Sequence, residues 1–158
     1  MILRPLELLR ALRDHRVDFL VIGGIAVAAH GYVRATKDVD IIPNPERDNL
    51  ERLMAALVAL EARPDLGDLR AEEMPVDLDL DALAAGGNWF LQTVHGRLDV
   101  MQFVEGARSY DRLRADAIVE GGIAYVGVDD LVAMKQAAGR DLDHIDIRAL
   151  EEARGAGG

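Results

Sequence analysis

The sequence predicts an α/β or α+β sandwich, in which strands and helices are mixed along the chain and joined by short connections. Three observations carry that expectation. Residues 17–22 form a short, almost continuous apolar run that ends on Gly23-Gly24. Residues 38–43 alternate between polar and apolar and lead straight into a helix-start signal. Two further strand-like runs, 89–94 and 98–104, are joined across His95-Gly96-Arg97 as a hairpin. With 158 residues, no internal repeat and no linker, we expect a single domain over 1–158. A chain of about 150 residues buries roughly 68–70% of its unfolded surface, which suffices for one core.

Each element has its own signal. Leu6, Leu8, Leu9 and Leu12 form an apolar stripe behind Pro5, a residue suited to the first turn of a helix. The run at 17–22 lacks polar alternation and reads as a strand buried on both faces. The glycines after it start a short helix over 25–30. In the next strand Asp38 and Asp40 share one face, Val39 and Ile41 the other. Asn44 is the expected cap and Pro45 the first residue of the following helix. There Leu50, Leu53, Met54, Leu57 and Val58 recur at helical spacing.

Residues 63–75 are turn-rich and charged. A second, weaker hairpin pairs 118–120 with 123–128 around Gly121-Gly122. Asp129 is the expected cap of a helix reaching Gly139, and a last helix covers 142–153. The core therefore spans about 15–128 and a C-terminal helical pair about 129–153, with 154–158 expected to be disordered.

Composition excludes several functions. There is no cysteine, which removes disulfides, thiolate zinc sites and cysteine nucleophiles. The four histidines lie scattered without ligand spacing. No run approaches the ~20 apolar residues of a membrane span, and the first twenty residues do not read as a signal peptide. A soluble cytoplasmic protein with no membrane partner is the expectation. The formal charge of −10 argues against a broad surface that tracks nucleic-acid phosphates.

The residues with chemical content begin at Asp38-Val39-Asp40. Carboxylates at i and i+2 on a strand lie about 6.6 Å apart on one face. Such a pair can bracket two metal ions, which sit ~3.5–4 Å apart in two-metal phosphoryl-transfer sites; a solvated strand face is the competing reading. Fourteen positions upstream, Gly23-Gly24 lets backbone amides approach an anion where a helix begins. An ordinary tight turn would also use glycines there. Neither a Walker A loop nor the full G-x-G-x-x-G spacing is present.

Asp99 lies in an apolar run, Leu98-Asp99-Val100-Met101, where an acid is costly unless paired or bound to metal. Lys135 projects between the directions of Leu131, Val132, Met134 and Ala138, so it requires a negative partner or a route to the surface. That partner is a triphosphate, the acidic cluster, or Asp38 or Asp40 in a structural ion pair. Arg34 and Thr36 either hold phosphate oxygens or shape the turn. The stretch Asp77-Leu78-Asp79-Leu80-Asp81 begins like a calcium loop, but Ala82 and Asn88 stand where glycine and glutamate are needed. A solvated strand with a helix cap is the better reading.

The blocks Val21-Ile22-Gly23-Gly24-Ile25-Ala26 and Gly31-Tyr32-Val33-Arg34-Ala35-Thr36-Lys37-Asp38-Val39-Asp40 resemble the DNA polymerase β-like nucleotidyltransferase superfamily. More closely, they are similar to the AbiEii-like nucleotidyltransferases, toxins of type IV toxin–antitoxin systems. Asp99 matches that family's third Asp, and the stretch from Asp130 through Lys135 to Arg140-Asp141 matches its C-terminal block. Ile25 stands where many superfamily members carry Ser; the AbiEii-like subgroup is similar in using apolar residues there.

The resemblance implies a nucleotidyltransferase fold, a mixed β-sheet flanked by helices with a short C-terminal helical pair. It also implies transfer of an NMP from an NTP to an acceptor hydroxyl on an RNA end such as tRNA, a protein or a small molecule. Asp38, Asp40 and Asp99 would bind two Mg²⁺ ions, with Mn²⁺ as an alternative, and Asp99 would take the hydroxyl proton. Gly23, Gly24, Arg34, Thr36, Lys135 and Arg140 would hold the nucleotide. A separate antitoxin protein would be the partner. The alternative is a catalytically inactive module of the same fold that acts through a protein partner.

Overall fold

The computed structural model describes residues 2–65 and 77–157. In chain order the elements are α1 (Pro5–Asp14), β1 (Phe19–Ile22), α2 (Gly23–Ala29), β2 (Asp38–Pro43), α3 (Arg47–Ala59), β3 (Arg63–Pro64) and α4 (Leu80–Ala84). They continue as β4 (Asn88–Thr93), β5 (Gly96–Met101), α5 (Tyr110–Ala115), β6 (Ile118–Glu120), β7 (Ile123–Tyr125), α6 (Val128–Ala138) and α7 (Asp141–Gly157). The strands form one sheet in the order β3-β4-β5-β2-β1-β7-β6. It is mixed: β2 runs parallel to β5 and antiparallel to β1, and β1 runs parallel to β7.

The expected strands and both hairpins are present, except the solvated strand expected within 77–81, where only the helix cap forms. All four residues of β1 are buried, as its unbroken apolar run requires. In β2 Val39 and Ile41 have no exposed surface, while Asp38 and Asp40 remain half-buried. Leu8 and Leu12 of α1, Leu53 and Leu57 of α3, and Leu131 of α6 pack into the same core. Most of the 63–75 stretch lies outside the described residues; its first two form the short edge strand β3.

Four helix boundaries differ from the sequence reading. The helix after the glycines starts at Gly23 itself, directly from the extended Ile22. Helix α3 starts at Arg47, not Pro45, because Asn44 is engaged elsewhere. Its side chain donates to Asp18 Oδ2 at 2.9 Å and accepts the Glu46 amide at 3.0 Å. Helix α6 is entered from Gly127 with no side-chain cap, and Asp129 instead pairs with Arg154 at 2.6 Å. The tail expected to be disordered is helical through Gly157. The tail is glycine-rich and has little helix propensity of its own; the Arg154–Asp129 pair ties the last turns of α7 back to α6.

Helices α4 and α5 were not anticipated as elements. The cap expected near Asp79 is there, with its carboxylate accepting the Ala82 amide at 2.8 Å. Among the described residues no helix is long and apolar enough to cross a membrane.

Candidate functional site

The parallel register of β2 and β5 places Asp40 beside Asp99 and Asp38 beside Arg97. Antiparallel pairing with β1 sets Ile22 opposite Asp40, so the strand-to-helix turn at Gly23 falls next to that carboxylate. Asp38, Asp40 and Asp99 each present an oxygen within 4.8 Å of the others. Crowding of this kind raises the proton affinity of carboxylates. Burial, then the neighbouring Asp38 and Asp99, push Asp40 up to about 8. Asp38 is also raised, by burial first and then by Asp99. A triad this costly as three anions fits a bound cation, and hard oxygen donors fit Mg²⁺ or Mn²⁺.

Both glycines are explained by close approach. Gly23 has φ +68°, and a Cβ there would run into the Asp40 carboxylate. A Cβ on Gly24 would run into the Thr36 methyl and stand 3.1–3.2 Å from the Arg34 guanidinium. The glycines therefore make room for the side chains of Asp40, Thr36 and Arg34, a role the turn signal alone does not reveal.

A cleft of about 770 Å³ opens over the triad. Every site residue singled out from the sequence lines it: Gly23, Gly24, Arg34, Thr36, Asp38, Asp40, Asp99, Lys135 and Arg140. One flank, at β4 and the end of β5, carries Asn88, Phe90, Met101 and Phe103. Asn88 braces this flank, accepting the Gln102 and Phe103 amides at 2.9 and 3.0 Å and donating to the Phe103 carbonyl at 3.0 Å. A separate hollow of about 430 Å³ beside α3 contains none of these residues.

The cations differ from expectation in their partners. Lys135 is buried, but it does not bond Asp38 or Asp40; its ammonium meets Asp146 at 2.8 Å and Asp143 at 3.4 Å. Arg34 grips Asp146 with two bonds of 2.8 Å, and Arg140 holds Asp143 at 2.7 and 3.2 Å. Asp143 and Asp146 are 1% and 0% exposed. Burial pushes both carboxyls up, yet the bonds from Arg140 and Arg34 outweigh it and hold them below the usual carboxylate range.

Sequence reasoning missed these two acids and Arg97. Arg97 donates to Asp99 Oδ1 at 3.0 Å and lies 5.6 Å from the Phe90 ring centre. The available signal was the Arg140-to-Asp143 spacing; nothing in the sequence pairs Arg97 with the triad.

No protein-family profile and no curated protein matches the sequence. Solved structures do. ANT(2'')-Ia in complex with adenylyl-2''-tobramycin superposes with a TM-score of 0.59 at 18% identity, over 94% of this chain and 86% of that one. The lincosamide antibiotic adenylyltransferase LnuA, lincomycin-bound, gives a TM-score of 0.64 at 13% identity, over 97% and 99% of the two chains. The fold is that of the nucleotidyltransferases. A solution structure of the antibiotic-resistance factor ANT(2'')-Ia agrees, with a TM-score of 0.56 at 16% identity over 96% and 81%. The superfamily-level fold expectation is thus met. None of these three structures is described as AbiEii-like.

Proposed function

We propose that this chain transfers a nucleoside monophosphate from an NTP to an acceptor hydroxyl, releasing pyrophosphate. The observation that carries the reading is the carboxylate triad Asp38, Asp40 and Asp99 at the floor of a cleft whose wall bears Arg34, Lys135 and Arg140. Asp38, Asp40 and Asp99 would hold two Mg²⁺, or Mn²⁺. When bound, such ions lower the pKa of the acceptor hydroxyl and neutralise charge in the in-line displacement.

The remaining work falls to the protein. Gly23 and Gly24 bring backbone amides to phosphate oxygens, and Thr36 closes that corner. Lys135, Arg34 and Arg140 neutralise the β and γ phosphates. Asp99 takes the proton of the acceptor hydroxyl as the new P–O bond forms. Arg97 occupies one Asp99 oxygen and so fixes its orientation.

A small molecule is the favoured acceptor, because the structurally similar enzymes are described with antibiotic ligands. The charge of −10 disfavours an RNA-coating surface. A second reading rests on the similarity of residues 21–40 and 130–141 to AbiEii-like toxins: transfer to an RNA end or a protein, held in check by an antitoxin partner.

The test is incubation with each α-³²P-labelled NTP, Mg²⁺, and separate RNA, protein and small-molecule fractions. Label is expected in the small-molecule fraction and absent with Asp40→Asn. Label in RNA or protein would select the toxin reading. If wild type and Asp40→Asn behave alike, with no metal-dependent NTP stabilisation in thermal melts, the chain is an inactive binding module.

A further inference from the structure

We infer that Asp146 is a positioning residue for the triphosphate: from inside α7 it fixes Arg34 and Lys135 in the cleft wall, and Asp143 does the same for Arg140. This rests on the nucleotidyl-transfer reading and deepens it. The three cations come from three places: the segment before β2, the last turns of α6, and the α6–α7 connection. Helix α7 pairs with all of them through Asp143 and Asp146. Asp143 and Asp146 lie one turn apart on that helix, and both are sequestered from solvent.

The geometry favours presentation of the cations over their neutralisation. Asp146 takes the Nε and one Nη2 proton of Arg34, and Nη1 donates to the Ala35 carbonyl at 3.1 Å. The guanidinium therefore keeps donors on the edge that lies beside Gly24. Asp146 and Asp143 engage two of the three Lys135 protons, leaving one. Three cations against two carboxylates leave the wall one positive charge in excess. An incoming phosphate cannot take Asp146's place, because that side chain has no exposed surface. Without it, Arg34 and Lys135 would face each other as like charges and separate.

A rival role for the same carboxylates is masking, in which they compete with phosphate for the cations. The two roles predict opposite signs. Titration calorimetry with Mg²⁺–tripolyphosphate would compare wild type, Asp146→Asn and Asp143→Asn, while electron paramagnetic resonance follows Mn²⁺ binding to each.

Positioning predicts at least tenfold weaker tripolyphosphate binding for Asp146→Asn and about threefold weaker for Asp143→Asn, with Mn²⁺ affinity held within twofold. In the double variant with Arg34→Gln, the Asp146→Asn loss should largely disappear, since the carboxylate acts through that guanidinium. Unchanged or tighter tripolyphosphate binding in the folded variants overturns the inference; should Asp146→Asn not fold, Asp143→Asn decides alone. A wild type that binds neither tripolyphosphate nor any NTP removes the nucleotidyl-transfer reading itself. Wild-type binding with wild-type-like variants removes only the positioning role.

Discussion

Asp40 concentrates the electrostatic cost of the site in one residue. Its carboxyl is raised to about 8 in the folded chain against an ordinary 3.8, so the native state holds a proton that the unfolded chain has lost. The resulting stability is fully present below pH 3.8 and declines as pH rises through about 8. We therefore expect the metal-free protein to lose stability between pH 5 and pH 8, measured by urea unfolding. Mg²⁺ should flatten that dependence, because it replaces the proton. Asp40→Asn should stabilise the metal-free protein at pH 8 by on the order of 1–3 kcal/mol while abolishing the Mg²⁺ effect. A second residue-scale prediction concerns Gly23. An alanine at φ +68° carries about 1–2 kcal/mol of backbone strain and its methyl displaces the Asp40 carboxylate. Gly23→Ala should thus lower Mn²⁺ affinity at least tenfold, a loss that resonance titration would register.

At the scale of elements, the central strand pair that carries Asp40 is held at its opposite end by side-chain bonds between non-adjacent segments. Asn49, 2% exposed on α3, accepts the Asp18 amide at 2.7 Å and donates to the Asp18 and Asn44 carbonyls at 2.8 and 2.9 Å. It thereby pins the entry of β1 to the exit of β2, the two strands that set Ile22 against Asp40. Asn49→Ala leaves the part-buried Asp18 amide without that acceptor and removes two donated bonds, and should cost about 1–3 kcal/mol in chemical denaturation. An effect below about 0.5 kcal/mol would show that the strand ends are held by the sheet alone. The same logic applies to α7. Leu142 and Ile145 are 46% and 54% exposed while Asp143 and Asp146 are buried, so the helix is oriented by its ion pairs as much as by its apolar face.

For the molecule as a whole, the charge of −10 is not evenly meaningful. Three of the acids form the triad, and two more are spent on holding the cations of the cleft wall. The overall field still repels polyphosphates, so bulk tRNA should not be retained in filter binding at about 0.15 M salt. Mg²⁺–NTP, a single small ligand with half its charge neutralised, should still raise the melting temperature. Strong, salt-sensitive retention of bulk tRNA would instead point to an RNA acceptor and to a basic patch that the charge balance conceals.

Much of this architecture was legible in the order of residues. The apolar run into Gly23-Gly24, the alternation around Asp38 and Asp40, and the hairpin carrying Asp99 each declare a local conformation, because period and turn chemistry are local properties. Their strand pairing was not declared: only the tertiary register brings Asp99 beside Asp40 and Arg97 beside Asp38. The partner of Lys135 was equally beyond reach. Its position on an apolar face demanded an anion, and local reasoning offered the triad or a ligand. The folded chain supplies Asp143 and Asp146 instead, two acids that α7 turns inward while Leu142 and Ile145 stay exposed. Periodicity reports which face of an element is apolar; which charges meet is decided by how the elements pack, and that is a property of the whole fold.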